Sequence, residues 1–317
     1  MPFHPDSLPD LTGRVYIVTG ATTGIGFHTA ARLAQHHAHV YICARSAPKG
    51  ETTTSRILTL YPFAKISVLV MDHTRLATVV AAAKHFLQQK TCLHGLVNNA
   101  GIMSTPYALT EDSYEEQWQT NYLAHWVFTS HLLPLMLSTS KTTEPGTVRI
   151  VNLSSSGHYG APKNGINFAD TSLPGEKGMT RYGQSKLANI LHAKTLHTLY
   201  GPTSPSSLAG QGEIWVSAVH PGFVKSDLGN RAELPGLMWA VIVPYRWIGG
   251  EIDADTGAWT SLHCVAGEGM RREECGGYWQ RIADPKGWQS GLARDWGLAE
   301  RLEGWTGEEM RRGGWVE

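Results

Sequence analysis

The sequence predicts an α/β fold in which helices cover both faces of a parallel sheet of about seven strands. Three observations carry this reading. Short apolar runs alternate with stretches of helical periodicity over most of the chain, the pattern of repeated strand–helix units. The first apolar run, Val15–Val18, leads straight into Thr19-Gly20-Ala21-Thr22-Thr23-Gly24-Ile25-Gly26 and then into an apolar-periodic helix over 24–36. Polar residues with chemical potential stand where later strands end, the edge at which an open α/β sheet collects its ligands. Together these describe a Rossmann-type, doubly wound parallel sheet in a single domain with a C-terminal extension.

The glycine turn is justified first. Gly20, Gly24 and Gly26 let the backbone turn tightly and approach a bound group, and the helix start presents unpaired N–H groups to a phosphate. Thr22, Thr23 and Ile25 lie between them and complete the candidate cradle. The spacing departs from the common dinucleotide fingerprint, because the first two glycines are four apart rather than two. A turn that serves packing alone is the competing reading.

The second strand, 38–43, ends in Cys43-Ala44-Arg45-Ser46. An acid at that tip would accept hydrogen bonds from a free ribose 2′-hydroxyl. Arg45 stands there instead, and a guanidinium matches a 2′-phosphate, which points to NADP(H) over NAD(H). A solvated surface arginine is the alternative, and Lys49 is a second candidate. A helix over 50–60 stops before Pro62, and the third strand, 66–71, ends at Asp72. Asp72 can accept from an adenine amino group or cap the next helix, 75–88.

The fourth strand, 95–97, runs into Asn98-Asn99-Ala100-Gly101, a tight turn suited to lie against a cofactor or to tie strands together. A long helix is expected over 110–138, opened by Thr110-Glu111-Asp112. Asn121 lies in its middle, where a poor helix former needs a reason: a helix distortion beside a held water, or a satisfied core amide.

The fifth strand, 148–153, exits into Ser154-Ser155-Ser156-Gly157, and Tyr182-Gly183-Gln184-Ser185-Lys186 opens a helix to about 199. Tyrosine and lysine four apart share a helix face. A phenol with pKa near 10 exchanges protons poorly near neutrality until a cation favours phenolate, and Lys186 supplies one. Lys186 can also hold a nicotinamide ribose. Ser155 can hydrogen-bond a carbonyl oxygen that Tyr182 protonates.

With TGxxxGIG, NNAG, the serine strand exit and YxxxK in place, the sequence resembles the short-chain dehydrogenase/reductase family over roughly residues 13–228. The resemblance implies a catalytic tetrad of Asn121, Ser155, Tyr182 and Lys186, with Asn121 holding a water that links Lys186 to solvent. Ser155 is chosen as the second serine of Val151-Asn152-Leu153-Ser154-Ser155, with Ser154 and Ser156 as alternatives. Arg149-Ile150-Val151-Asn152-Leu153-Ser154-Ser155 and Ser185-Lys186-Leu187-Ala188-Asn189 resemble retinol-dehydrogenase-like and WW-domain-oxidoreductase-like members. The long interval 157–180 is expected as a rim over the active site. In general character the chain is similar to soluble fungal reductases of secondary metabolism.

The sixth strand, 214–219, exits into His220-Pro221-Gly222-Phe223-Val224-Lys225-Ser226. The resemblance implies that Pro221 and Gly222 lie against the nicotinamide, that Val224 meets the carboxamide, and that Ser226 takes the place of the usual threonine. Residues 237–245, with Trp239, form an apolar stretch that can line a pocket, fill core or subunit contact, or touch a membrane surface. A helix over 256–265 and a short strand over 276–279 follow. Residues 229–317 form a substrate-side segment and a Trp-rich tail. Its tryptophans can wrap the domain, close the pocket or meet a second subunit. His158, just after the catalytic serine, can face substrate. The remaining histidines read as surface and helix-end residues. No metal site is expected, since no i, i+4 pair with an acid occurs.

Composition bounds the rest. The chain has 317 residues with 27 basic and 27 acidic side chains, so no charge excess points to nucleic acid. No apolar secretory core or membrane-length run is present. The four cysteines have no paired or zinc spacing, which suits a cytoplasmic, reducing setting. The partner is a small carbonyl or alcohol compound, and the resemblance implies a homodimer or homotetramer built on the helices of Asn121 and Tyr182. An isomerase, epimerase or cyclase on this scaffold and a cofactor-sensing interaction protein are the other function classes.

Overall fold

The structure is a computed structural model that describes residues 3–225 and 250–317. One sheet of seven strands has the order β3-β2-β1-β4-β5-β6-β7, and each neighbouring pair is parallel. The strands are β1 Val15–Val18, β2 His39–Ala44, β3 Lys65–Val70, β4 Gly95–Asn98, β5 Arg149–Leu153, β6 Trp215–His220 and β7 Tyr278–Gln280. The winding reverses between β1 and β4, which opens a crevice at their carboxyl ends.

Alternation along each strand divides the apolar residues between two cores. Val15, Ile17, Leu96, Ile150 and Tyr278 face one side; Tyr16, Val18, Val97, Val151 and Trp279 face the other. The second side is covered by α1 Gly24–Gln35, α2 Ala47–Leu60 and α8 Ala254–Ala266, through Phe27, Leu33, Ile57 and Leu262. The first side is covered by α3 Leu76–Gln89, α5 Ala124–Ser140, α6 Gly178–Tyr200 and α9 Trp296–Arg312, through Phe86, Leu132, Leu187 and Leu302. One-turn helices α4 Glu116–Trp118 and α7 Pro205–Leu208 complete the α-helices of the described residues.

Several expectations are corrected. The helix of Asn121 starts at Glu116 rather than at 110. Thr110 and Tyr114 close a tight turn (Thr110 N–H to Tyr114 O, 2.8 Å), and the Asp112 carboxylate caps α3 by accepting from Leu76 N–H at 2.7 Å. An acid that reads as the start of its own helix thus serves another. Asp72, in turn, does not cap α3: its Oδ1 accepts from the N–H and hydroxyl of Thr74 in an Asx turn. Residues 3–13 are anchored to the domain, with Leu8 and Leu11 buried in the second core. Within 201–212, Ser204 caps α7 and Ser206 is buried. His125 and His192 lie in the interior rather than at the surface, and among the described residues no group of three metal-ligating side chains forms.

The tail helix α9 lies against α5 and α6. Trp126 Nε1 donates to Glu303 at 3.0 Å, Tyr122 and Thr306 share a 2.7 Å hydrogen bond, and Leu298, Leu302 and Met310 fill the first core. Any association through these two helices must therefore accommodate α9. Trp305 packs beside Trp118 and Phe168, whereas Trp288 is 81% exposed. The interval 157–180 is not a simple rim. After a single turn over Ser156–Gly160 it runs along α6, where Gln184 accepts from Asn167 N–H and donates to Thr171 O, and Ile166 is buried.

Candidate active site

The crevice is built from the exits of β1 to β6, from the starts of α1 and α2, from α6 and from the turn that precedes α5. After β1, Gly20 turns at φ +61°, and a β-carbon on Gly26 would stand 2.4 Å from Asn99 Nδ2 and 2.5 Å from Gly20 O. Only glycine allows α1 to start this close to the turn after β4. The Thr19 hydroxyl accepts from the N–H groups of Asn99 and Ala100 at 2.8 and 2.9 Å, and Asn99 Nδ2 donates to Thr19 O at 2.8 Å. Asn98 has the strand-tying role: its amide donates to Asn152 Oδ1 on β5 at 2.9 Å. The cradle of Gly20, Thr22, Thr23, Gly24, Ile25 and Gly26 leaves the first turn of α1 without an acidic side chain. These residues and that helix start fit a pyrophosphate.

Arg45 follows β2 on the exposed lip, and α2 begins beside it with no acid in its first turn. Lys49 is exposed within that helix. Asp72 lies at the exit of β3, partly buried.

Tyr182 and Lys186 project from α6 and both are buried. Burial pushes the Tyr182 phenol up to about 12, while the adjacent Ser155 hydroxyl pulls it down. Burial brings Lys186 down to about 8. Its Nζ donates to Leu153 O at 3.0 Å and lies 5.7 Å from the Tyr182 ring centroid. The three serines separate clearly. Ser154 is buried and donates to Lys186 O at 2.7 Å, so it ties β5 to α6. Ser156 is exposed at the start of the next turn. Ser155 points toward Tyr182, and a β-carbon on Gly157 would collide with the Tyr182 ring at 2.5 Å and reach Ser155 Oγ at 3.3 Å. Gly157 is what lets the two hydroxyls meet.

Asn121 combines a helix distortion with a satisfied core amide. It lies in a π-helical turn, Gln119–Leu123, between α4 and α5. Its Oδ1 accepts from Ile102 N–H at 2.8 Å, and its Nδ2 donates to Ile102 O at 3.0 Å and Ser185 Oγ at 2.8 Å. Such π-turns mark functional sites often enough to be informative. Gly101 completes the group: a β-carbon there would lie 3.1 Å from Asn121 Oδ1 and 3.3 Å from Lys186 Nζ. Asn121, Ser155, Tyr182 and Lys186 are thus brought to one place from three separate segments.

At the exit of β6, Pro221 and Gly222 are half-buried and Gly222 has φ +95°. Val224 pairs with Ile252 through the flanking bonds of Phe223 and Lys225, so its own N–H and C=O are not spent on that pairing. Ser226 and Trp239 lie outside the described residues. His158 does not face an open pocket. It is buried, its Nδ1 bonds Ser155 O at 2.7 Å, and its Nε2 accepts from Ser290 N–H at 3.1 Å. Both ring nitrogens are engaged by backbone, so the reading of His158 as a substrate contact is replaced by one in which it holds the Ser155 turn to the C-terminal segment.

Three contributing residues escaped the sequence reading. Arg56 donates to Thr22 O at 3.2 Å and lies over Phe27, pinning the glycine turn from α2 with no motif to reveal it. Glu115 accepts from Trp118 N–H and forms a buried ion pair with Arg181, the neighbour of Tyr182, at 3.2 Å. His125 follows Asn121 at helical spacing, the one case with a signal in the sequence.

The short chain dehydrogenase family profile matches residues 14–234. The short-chain dehydrogenase/reductase drtF of Aspergillus calidoustus is 46% identical over 316 residues, spanning 98% of each chain. Human retinol dehydrogenase 12 is 37% identical over 296 residues, which covers 92% of this chain and 84% of that one. A solved structure from Mycobacterium Paratuberculosis superposes with TM-score 0.73 at 26% identity over 98% of both chains. The seven-stranded doubly wound sheet, the converging side chains and these likenesses lead to one conclusion: the chain belongs to the short-chain dehydrogenase/reductase family, oxidoreductases that interconvert small organic carbonyls and alcohols by hydride transfer.

Proposed function

We propose that this protein is an NADP(H)-dependent ketoreductase acting on a bulky apolar or aromatic ketone or aldehyde. The observation that carries it is the meeting of Ser155, Tyr182, Lys186 and Asn121 at the carboxyl ends of β4 and β5. In this reading the glycine turn and Thr22, Thr23 and Ile25 hold the pyrophosphate, and Asn99, Ala100 and Gly101 line the crevice. Pro221, Gly222 and Val224 hold the nicotinamide end, together with Ser226. The bound cofactor supplies hydride. The chain's own residues do the rest. Ser155 donates a hydrogen bond to the carbonyl oxygen and orients it. Tyr182 delivers its proton to that oxygen as negative charge develops there. Lys186 lowers the cost of the resulting phenolate by its charge, and Asn121 shapes the path by which a proton returns to Lys186.

Arg45 beside the unblocked start of α2 supports NADP(H) over NAD(H). Reversing its charge in Arg45→Glu is expected to lower the preference for NADPH over NADH by about 10²-fold, through loss of a phosphate pair and gain of a repulsion. Steady-state kinetics with both cofactors check this. The extent of the likeness to human retinol dehydrogenase 12 supports an apolar substrate and the retinol-dehydrogenase-like subgroup. The fungal relative supports a short-chain dehydrogenase/reductase of fungal type; a place in secondary metabolism is part of this reading.

The direct test is NADPH consumption against a panel of aromatic, polyketide-like and steroid-like ketones, with product followed by mass. A product two mass units heavier than its ketone, formed in step with NADPH oxidation, is the expected result. Product formed with NADPH unchanged would establish a non-redox reaction instead.

A further inference from the structure

We infer that His125 is a positioning residue that locks the turn after β1, the turn after β4 and the π-turn of Asn121 into one unit. The inference rests on the reading of Asn121 and the glycine turn given under Proposed function. His125 is the second residue of α5, one helical turn beyond Asn121, and is buried. Its Nδ1 lies 3.0 Å from Asn121 O, and its Nε2 lies 2.8 Å from Thr19 Oγ1.

The proton positions follow from the partners. A backbone carbonyl has no hydrogen to give, so Nδ1 carries the ring proton. The neutral imidazole then offers Nε2 as an acceptor, and the Thr19 hydroxyl must donate to it. Neutrality suits the surroundings: burial, the His73 ring 4.8 Å away, Lys186 and His192 all disfavour a charge on His125. The Thr19 hydroxyl has one proton and two lone pairs. With its proton on His125, both lone pairs serve the N–H groups of Asn99 and Ala100. Each hydrogen-bonding position of the imidazole and of the hydroxyl is used.

Loss of the imidazole would free this hydroxyl to turn toward Val97 O, now 3.4 Å away. That rotation re-aims the two lone pairs that serve the N–H groups of Asn99 and Ala100. Asn99 also donates to Thr19 O and sits where Gly26 can bear no side chain, so the disturbance reaches the phosphate turn. The other arm acts on the Asn121 carbonyl. His125 therefore has one arm on the cofactor cradle and one on the proposed proton path.

The two arms can be cut separately. An asparagine amide reaches about as far as Nδ1, and a glutamine amide about as far as Nε2. His125→Asn keeps the bond to Asn121 O; His125→Gln keeps the acceptor for Thr19; His125→Leu keeps neither. NADPH affinity, read by fluorescence titration without substrate, and kcat are measured with a thermal melt for each variant. His125→Asn is expected to weaken NADPH binding about tenfold with kcat within threefold of wild type. His125→Gln is expected to bind NADPH within threefold of wild type and to lose about tenfold in kcat, and His125→Leu to lose both, on the scale of small misplacements at reacting groups. Equal losses in all three variants, or a lowered melting temperature with both constants unmoved, would overturn the inference. A wild-type protein that binds no NADPH would instead overturn the proposed function beneath it.

Discussion

Tyr182→Phe is expected to lower kcat/KM for carbonyl reduction by about 10³-fold, within the range of a positioned general acid. That factor corresponds to about 4 kcal/mol of transition-state stabilisation. The change removes one oxygen and keeps the ring, which packs against Gly157 in a space that admits no extra atom. The fold should persist, and NADPH affinity should stay within a few-fold of wild type, because the phosphate cradle lies on other segments. Single-turnover kinetics beside a fluorescence titration separate these effects. A variant that binds cofactor and still reduces ketone at more than a tenth of the wild-type rate would remove Tyr182 as the proton donor. The burial that raises the phenol to about 12 keeps it protonated through the working range, as a donor for reduction must be.

Lys186→Met is expected to do two opposite things. Activity should fall by about 10²–10⁴-fold, since the phenolate left on Tyr182 loses its neighbouring charge. Stability at pH 7 should rise, seen as a melting temperature a few degrees higher. The buried ammonium has its pKa lowered from 10.5 to about 8, so the fold opposes its charge. Below about pH 8 the group is protonated in both folded and unfolded chains, and the penalty is fully present. Between about 8 and 10.5 the unfolded chain binds more protons, so wild-type stability climbs with pH and the gap to the methionine variant closes. Melts at pH 7 and pH 10 read this difference directly. A methionine variant that melts lower at pH 7 would mean that the hydrogen bond to Leu153 O outweighs desolvation. The same ionisation gives the wild type a pH–rate profile: kcat/KM for reduction should be flat below about pH 8 and fall above it as Lys186 loses its proton.

Much of this protein is written in short-range patterns. The strands announce themselves as apolar runs, because a strand buried on both faces needs apolar residues at every position. Val15–Val18 is the clearest case, and the structure keeps those bounds. The tetrad candidates were legible because each stands beside a local signal: a serine at a strand exit, a tyrosine and lysine one helical turn apart, an asparagine where helix propensity objects. Helix starts were less legible. Asp112 looks like the opening of its own helix and caps α3 instead, since a carboxylate serves whichever N–H groups the fold brings to it.

By itself, the sequence determined the doubly wound parallel sheet and named the candidate residues at its carboxyl edge, while the strand order came from the structure. Periodicity and glycine spacing are properties of neighbouring residues, so they survive without coordinates. Tertiary structure alone decided that Ser154 turns to Lys186 O and Ser156 to solvent, that His158 and His125 turn inward, and that the Trp-rich tail lies along α5 and α6. Each of these depends on contacts between segments far apart in the chain, such as Thr19 with His125 and His158 with Ser290. A buried polar group must find a partner, and which partner is close enough is settled only when the strands and helices have packed.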